Sequence, residues 1–271
     1  MSADDRSTEI QKTAESIEAF AAAVGPVLGG WDTPRLRSPL IPVSDQRLAS
    51  ALSPRLSYGR HRGPARLNSR QAAVAIVVYP QRQTGRLCLT LTRRPMALSH
   101  HGGQICLPGG RIEPGESPFQ AAVREYQEEL GVSPQVIQVV GRLNPIYVFA
   151  SDNLVETLVL TAGSPVGDWR PDPVEVDEVI EMPLESVVQL AGGSLASSCP
   201  PCKIIAENRD RIGKKQGTGE VFQYRFGHPA IEFVDCQGHR RVVWGATAML
   251  LGEFADAVCR AIDEGASDGK D

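Results

Sequence analysis

The chain lacks any run approaching the roughly 20 consecutive apolar residues that a membrane-spanning helix needs, so no membrane association is expected. A basic start followed by an apolar leader is also missing: Met1–Arg6 carries Asp4 and Asp5 and leads into a polar, helix-like segment, unlike a secretory signal. Cysteine is scarce, six in 271 residues, too few for a disulfide-stapled scaffold. These absences point to a cytoplasmic protein with reduced thiols. An excess of positive charge is absent too: the formal net charge is −4, so no global field attracts nucleic acid. A small anionic ligand is not excluded, because it needs only a local patch and a metal. Hydrophobic residues make up 42% and charged residues 22%, which suits a globular protein with a sizeable core.

At this length the chain suits one medium domain with decorations or two small ones, and it shows no internal repeat. Ile10, Ala14, Ile17, Ala21 and Val24 recur at helical spacing within Thr8–Val24, which predicts an amphipathic helix. Pro26, Gly29, Gly30 and Pro34 end it. From Trp31 to Arg70 the composition is rich in Pro, Arg and Ser without a sustained period, so an irregular arm is expected. Residues 1–70 are therefore read as an N-terminal extension, 71–265 as the main domain and 266–271 as a polar tail. The Ile10/Ile17 stripe is expected to pack on the domain or on a second copy in a homodimer, since its charge is not basic enough for a membrane surface.

The apolar, partly β-branched run Ala72–Tyr79 predicts a buried strand, and the alternation of Leu87, Leu89 and Leu91 predicts a second. Further strands are expected at Val136–Leu143, Leu154–Thr161, Val176–Glu181, Val221–Phe226, Ile231–Val234 and Arg241–Val243. An insert of about Ala191–Glu220 separates the last three from the rest, and Trp244–Ile262 reads as a closing helix. Strands interleaved with two substantial helices predict a mixed α/β domain.

Ser117–Leu130 also reads as a helix. Ser117 can cap it, Pro118 suits its first turn, and Gly131 stands where a C-terminal glycine belongs. Glu125 and Glu129, four apart, share one helical face, and Glu128 lies on its flank. Like charges at this spacing destabilise a bare helix. A hard divalent cation removes the repulsion, because Mg²⁺ takes oxygen ligands from a few carboxylates plus substrate phosphates. Glu116 precedes the helix closely enough to fold onto its first turns, and Arg124 can orient a carboxylate through paired N–H donors. The glycines before the helix suit a loop whose backbone approaches a ligand. Taken as a short run alone, such an acidic stretch is more often a solvated helix face.

The wider arrangement resembles the Nudix family, whose box reads G-x5-E-x7-R-E-U-x-E-E-x-G-U, with U aliphatic. Its positions here are Gly110, Glu116, Arg124, Glu125, Tyr126, Glu128, Glu129, Gly131 and Val132; Tyr126 is the one departure. The resemblance implies a Nudix α/β/α sandwich with a mixed sheet, with the N-terminal helical and irregular extension added to it. It implies Mg²⁺ or Mn²⁺ held by Glu125, Glu128, Glu129 and the Gly109 carbonyl, with Arg124 and Glu116 orienting. It implies hydrolysis of a diphosphate linkage in a small nucleotide derivative. The family places its general base either in the box or on a later loop, where Glu175 and Glu178 are candidates.

The segment before the box resembles the coenzyme A diphosphatase branch, which carries L-L-T-x-R-S-x3-R-x3-G-x3-F-P-G-G there. Leu91, Thr92, Arg94, Gly103, Pro108, Gly109 and Gly110 agree, and His101 and Gln104 also match residues common in that branch. The runs Arg170–Glu181 and Val243–Ala248 look similar too, so the resemblance covers most of Ala72–Ala257. Thr90 replaces Leu, Pro95 replaces Ser, Ser99 replaces Arg and Leu107 replaces Phe. The implied substrate-binding residues are Arg94, His101, Gly103, Gln104 and Gly110. The implied reaction cuts coenzyme A or acyl-CoA to 3′,5′-ADP and (acyl-)4′-phosphopantetheine. The alternatives are another nucleoside diphosphate derivative, such as NADH or ADP-ribose, and a Nudix-like module that binds a nucleotide without cutting it.

Cys199-Pro200-Pro201-Cys202 has redox or zinc-ligand spacing, but a zinc site normally needs a second ligand pair and the other cysteines are isolated. An ordinary loop is the expectation. His228 and His239 are expected at the surface or in satisfied core positions.

Overall fold

The computed structural model describes residues 16–28, 52, 65–98, 102–149, 151–190, 202–214 and 219–268. The run at Ala72–Tyr79 lies within strand β1 (Arg70–Pro80), at the middle of the main sheet. It pairs antiparallel with β2 (Leu87–Arg93) and parallel with β7 (Asn153–Ala162). Ala73, Ala75, Val77 and Tyr79 face one side of the sheet, and Ile76 and Val78 the other. Burial on both faces explains why this strand reads as a continuous apolar run and not as an alternation.

The main path runs β3-β2-β1-β7-β5, where β3 is Ile105–Cys106 and β5 is Val136–Arg142. Strand β4 (Gly109–Arg111) pairs with β1, β6 (Ile146–Val148) with β7, and β8 (Glu178–Pro183) with β2. The parallel β1/β7 pair among antiparallel neighbours makes the sheet mixed.

Among the described residues four helices flank the strands: α1 (Ile17–Val24), α2 (Pro118–Leu130), α3 (Leu184–Leu190) and α4 (Gly245–Asp268). On one face α2 buries Ala121, Ala122, Tyr126 and Leu130 against Ala73, Ala75, Val77 and Tyr79. On the other, α1, α3 and α4 share one apolar cluster with Ile76, Val78, Leu87, Leu89 and Leu91. The result is the expected α/β/α sandwich. Helix α1, capped by Ser16 on Ala19 N–H at 3.0 Å, buries Ile17, Phe20 and Val24 in that cluster. The Phe20 ring meets Phe254 of α4 edge-on at 6.1 Å. A 3₁₀ turn, Gly25–Val27, follows α1. Residues 8–15 of the expected helix and most of the expected arm lie outside the described residues.

Three strands, β9 (Lys203–Lys214), β10 (Val221–Val234) and β11 (Arg240–Trp244), form a second antiparallel sheet in the order β11-β10-β9. This corrects two expectations. The segment read as an insert contains a full strand, because β9 is held by backbone pairing to β10 from Lys203↔Glu232 to Lys214↔Val221 and has no apolar period to betray it. Val221–Phe226 and Ile231–Val234 are one strand in spite of Pro229, since β11 pairing begins only at Ala230↔Trp244 and Pro229 needs no N–H on that side. Five cysteines are described and all are free thiols; Cys88 and Cys236 stand with their sulfurs 2.9 Å apart. Cys199, one half of the Cys199/Cys202 pair, lies outside the described residues. Among the described residues no helix is long and apolar enough to cross a membrane.

Candidate active site

The loop before α2 is shaped by two close approaches. Gly109 has φ of +147° and lies in β4 opposite Val74; a Cβ there would stand 2.3 Å from the Ala73 carbonyl oxygen. At Gly110 a Cβ would meet the Glu125 carboxyl carbon at 2.4 Å. The absent side chain thus lets the Glu125 carboxylate lie directly on the loop backbone. Beyond the loop, Ser117 and Gln120 form a reciprocal capping box: Ser117 Oγ accepts from Gln120 N at 3.2 Å, and Gln120 Oε1 accepts from Ser117 N at 2.9 Å. Two orphan donors of the first turn are so satisfied. Gly131 closes the helix in the left-handed region at φ +64°, pressed against the Arg170 carbonyl.

Arg124 joins loop and helix. Its Nε donates to Glu116 Oε1 at 2.8 Å and its Nη2 to Glu116 Oε2 at 3.1 Å, a paired contact of the kind that fixes orientation. Nη1 donates to Glu125 Oε1 and Glu128 Oε2, both at 2.9 Å, and Nη2 also reaches the Arg111 carbonyl at 3.0 Å. The Arg124 hydrogen bonds and a backbone N–H from Glu113 hold the Glu116 carboxyl below its ordinary range.

Glu125 and Glu129 feel a different environment. Burial raises the Glu125 pKa, and the Arg124 contact opposes the rise. Glu129 is 4% exposed, and burial pushes its pKa up to about 8, with repulsion from Glu125 and Glu175 adding to the effect. Its Oε2 accepts a long hydrogen bond, 3.4 Å, from the Gly109 N–H. Glu128 is the exposed member, 59% accessible at its side chain.

Among the described residues no three carboxylate, histidine or cysteine side chains converge as a closed metal cage. The donors nevertheless fit a hard cation: Mg²⁺ keeps several waters and asks for only one or two carboxylates beside substrate phosphates. A carboxylate driven to about 8 by burial and like charge is the kind of group that a divalent cation returns to its ionised form.

Of the residues expected to bind substrate, Gly103 and Gln104 share a turn with Arg94, whereas Gly110 lies against Glu125. Arg94 is half-buried; its Nε has no hydrogen-bond partner among the described residues, and its charge reaches both Glu129 and Cys106. Gly103, at φ +69°, closes a turn in which its N–H donates to the Arg94 carbonyl at 3.0 Å, and Arg94 N–H donates to the Gln104 carbonyl at 3.0 Å. Gln104 is buried, its Nε2 3.5 Å from the Trp244 carbonyl. His101 lies outside the described residues. Glu175 is exposed beside the cluster, acting on both Glu125 and Glu129. Glu178 is brought elsewhere: both its oxygens accept from Arg241, at 2.5 and 2.8 Å, and Arg93 stands 3.1 Å away.

Two departures from the family patterns turn out to be one feature. The Tyr126 hydroxyl and Thr90 Oγ1 are 2.9 Å apart in the core, so the ring fills the aliphatic position and its hydroxyl finds the partner that burial demands. The sequence signal was available, two polar groups at apolar positions, but their meeting across 36 residues was not. Arg241 and Asp235 carried no signal at all.

The site is thus a loop–helix element bearing a burial-strained carboxylate cluster on a mixed sheet. Residues 69–197 match the family model described as the NUDIX domain, and the mixed sheet between helices is the fold expected of that family. Curated relatives named "Uncharacterized Nudix hydrolase NudL", from Salmonella paratyphi B and Salmonella newport, are each 40% identical over 125 residues. The match covers 46% of this chain and 62% of the relatives' length. Two solved structures also overlap part of the fold. The MutT protein of Methanosarcina mazei Go1 is 23% identical, with a TM-score of 0.37, covering 46% of this chain and 85% of that one. The NUDIX domain of Shewanella oneidensis NrtR, complexed with ADP ribose, is 22% identical with a TM-score of 0.35, covering 52% and 88%.

Proposed function

We propose that this protein is a divalent-metal-dependent hydrolase that cuts a diphosphate linkage in a nucleotide derivative, with coenzyme A or acyl-CoA as the leading substrate. One observation carries the reading: Glu129 is buried with its carboxylate on the Gly109 N–H, and burial, aided by the charges of Glu125 and Glu175, raises its pKa to about 8. A site that strains a buried carboxylate this way is poised to trade a proton for a cation. Glu125, Glu128, Glu129 and the Gly109 carbonyl would hold Mg²⁺ or Mn²⁺. The metal, when bound, would neutralise phosphate charge and make water a better nucleophile.

The chain's own residues supply the rest. Arg124 and Glu116 hold the loop and the helix carboxylates in register. Arg94, whose charge acts on Glu129, would meet a phosphate oxygen, and Gly103 and Gln104 hold the Arg94 turn. Glu175 is exposed and close to the cluster. It suits proton acceptance from the attacking water better than Glu178, whose two oxygens are taken by Arg241. The matches at Arg94, Gly103 and Gln104 support the coenzyme A branch, and Ser99 is the departure that weighs against it. Location in the cytoplasm and a homodimer belong to the same proposal.

A product assay with purified protein and Mg²⁺ or Mn²⁺ tests it, comparing coenzyme A, acyl-CoA, NADH and ADP-ribose at equal concentration. Preferential release of 3′,5′-ADP from coenzyme A is the expected result. Faster cleavage of NADH or ADP-ribose would keep the chemistry and discard the substrate. Binding by calorimetry without product from any of the four would overturn the hydrolase in favour of a binding module.

A further inference from the structure

We propose that Arg241 is a positioning residue for the diphosphate-cleaving site: it clamps Glu178 and thereby sets the loop that presents Glu175 to the carboxylate cluster. This rests on the reading that Glu175 works at that site.

The loop from Arg170 to Glu178 is tied down at both ends. At its entry, Arg170 N–H donates to the Leu130 carbonyl at 3.0 Å and Asp172 N–H to the Glu129 carbonyl at 3.2 Å. This end is thus fastened to the carboxylate-bearing end of α2. Asp172 then folds the turn, accepting from Val174 N–H at its side chain and from Glu175 and Val176 N–H at its carbonyl, at 2.9, 3.1 and 2.8 Å. At the exit, Asp177 N–H donates to the Arg93 carbonyl at 2.8 Å, and Glu178 starts β8. Glu175 is therefore suspended between two anchors, three residues from Glu178.

Arg241 makes the exit anchor rigid. Its guanidinium takes Glu178 in a paired contact, and its Nε donates to Asp235 Oδ2 at 2.7 Å. Asp235 is itself fixed, its Oδ1 accepting from Gln237 and His239 N–H at 2.9 and 2.8 Å. The other groups facing this clamp are His239, with Nδ1 3.4 Å from Arg241 Nη2, and Arg93, which pairs with Asp177 and Glu178. Arg93 is 36% exposed, against 9% for Arg241, so the buried cation is the stiffer tie. Buried ion pairs of this kind contribute little net stability compared with apolar packing; what a planar fork supplies is orientation. Arg241 lies on β11, outside the 69–197 span that matches the NUDIX domain. The C-terminal sheet thus reaches back to the Glu175 loop through the Arg241 side chain.

The test uses the full chain with Arg241→Lys and Glu178→Gln, which keep size while removing the fork or one charge. Amide hydrogen exchange in metal-free protein reads the loop, and kcat and KM read the reaction. In Arg241→Lys we expect exchange at Glu175–Asp177 to quicken by about 10-fold while the α2 amides hold. We expect kcat to fall by roughly 10-fold with KM within about twofold. Glu178→Gln should act in the same direction, and the double variant should be no worse than Arg241→Lys alone, as for two ends of one contact. Unchanged loop exchange and kcat in a variant with wild-type melting would overturn the proposal, and so would exchange that quickens uniformly through the protein. A wild-type protein that cuts none of the substrates, or Glu175→Gln as active as wild type, would instead sink the underlying reading. Loop exchange would then still report whether the clamp exists.

Discussion

Glu129 is the residue on which the site chemistry turns. Its folded-state pKa of about 8 stands above the ordinary 4.5 because burial disfavours the charged form. In metal-free protein the folded state keeps this proton to about pH 8 while the unfolded chain releases it near 4.5. Its contribution to stability is therefore fully present below pH 4.5 and is lost as pH rises through about 8. Thermal melting of metal-free protein should show Tm falling across that window, and Glu129→Gln should flatten this component. Saturating Mg²⁺ should raise Tm more at a pH above about 8 than well below it, because the cation takes the ionised form. The same variant, still folded, should lose most turnover. Gly110 offers a second residue-scale check: in Gly110→Ala the new Cβ meets the Glu125 carboxyl carbon at 2.4 Å and must displace it. We expect kcat to drop by about 10-fold or more with melting little changed, measured at saturating metal.

Helix α2 is the element that gathers the site, and its limits are legible in the sequence. Ser117, Pro118 and Gly131 mark its ends through chemistry that is local along the chain, and the capping box and the left-handed Gly131 bear this out. The box is exposed, so Ser117→Ala should cost about 1 kcal/mol, read from urea unfolding, with kcat nearly unchanged once the protein is folded. Strands with apolar runs are legible as well. Strand β9 is not, because its residues carry no period of their own and its pairing with β10 is made by the backbone. Tyr126 and Thr90 illustrate a related limit: each looks out of place alone, and their 2.9 Å contact removes the anomaly.

For the whole molecule the telling feature is the reach of the flanking segments into the sandwich, on which the stripe of α1 was expected to pack. Helix α1 belongs by sequence to an N-terminal extension, yet Phe20 and Val24 are fully buried against α4 in the larger core cluster. Phe20→Ala should therefore destabilise the protein by about 3–5 kcal/mol in equilibrium unfolding while leaving KM unaltered. A near-neutral effect would mean that α1 is only laid on the surface. The C-terminal sheet is likewise joined to the main one, through the Cys236 N–H on the Glu181 carbonyl at 2.9 Å and the Arg241 contacts.

The sequence by itself determined the acidic helix, its caps, the glycine-bearing loop before it, and the central buried strands. Each depends on residues within a few positions of one another, where spacing and side-chain chemistry act without knowledge of the fold. The tertiary structure alone decided which of the four box glutamates is strained. Glu116 rests on Arg124 with a lowered pKa, whereas Glu129 lies under the Gly109 strand with a raised one. It alone separated Glu175, beside the cluster, from Glu178, bound to Arg241. Desolvation and ion pairing depend on what stands across space, and a carboxylate carries no mark in its neighbours along the chain of which surroundings folding will bring to it.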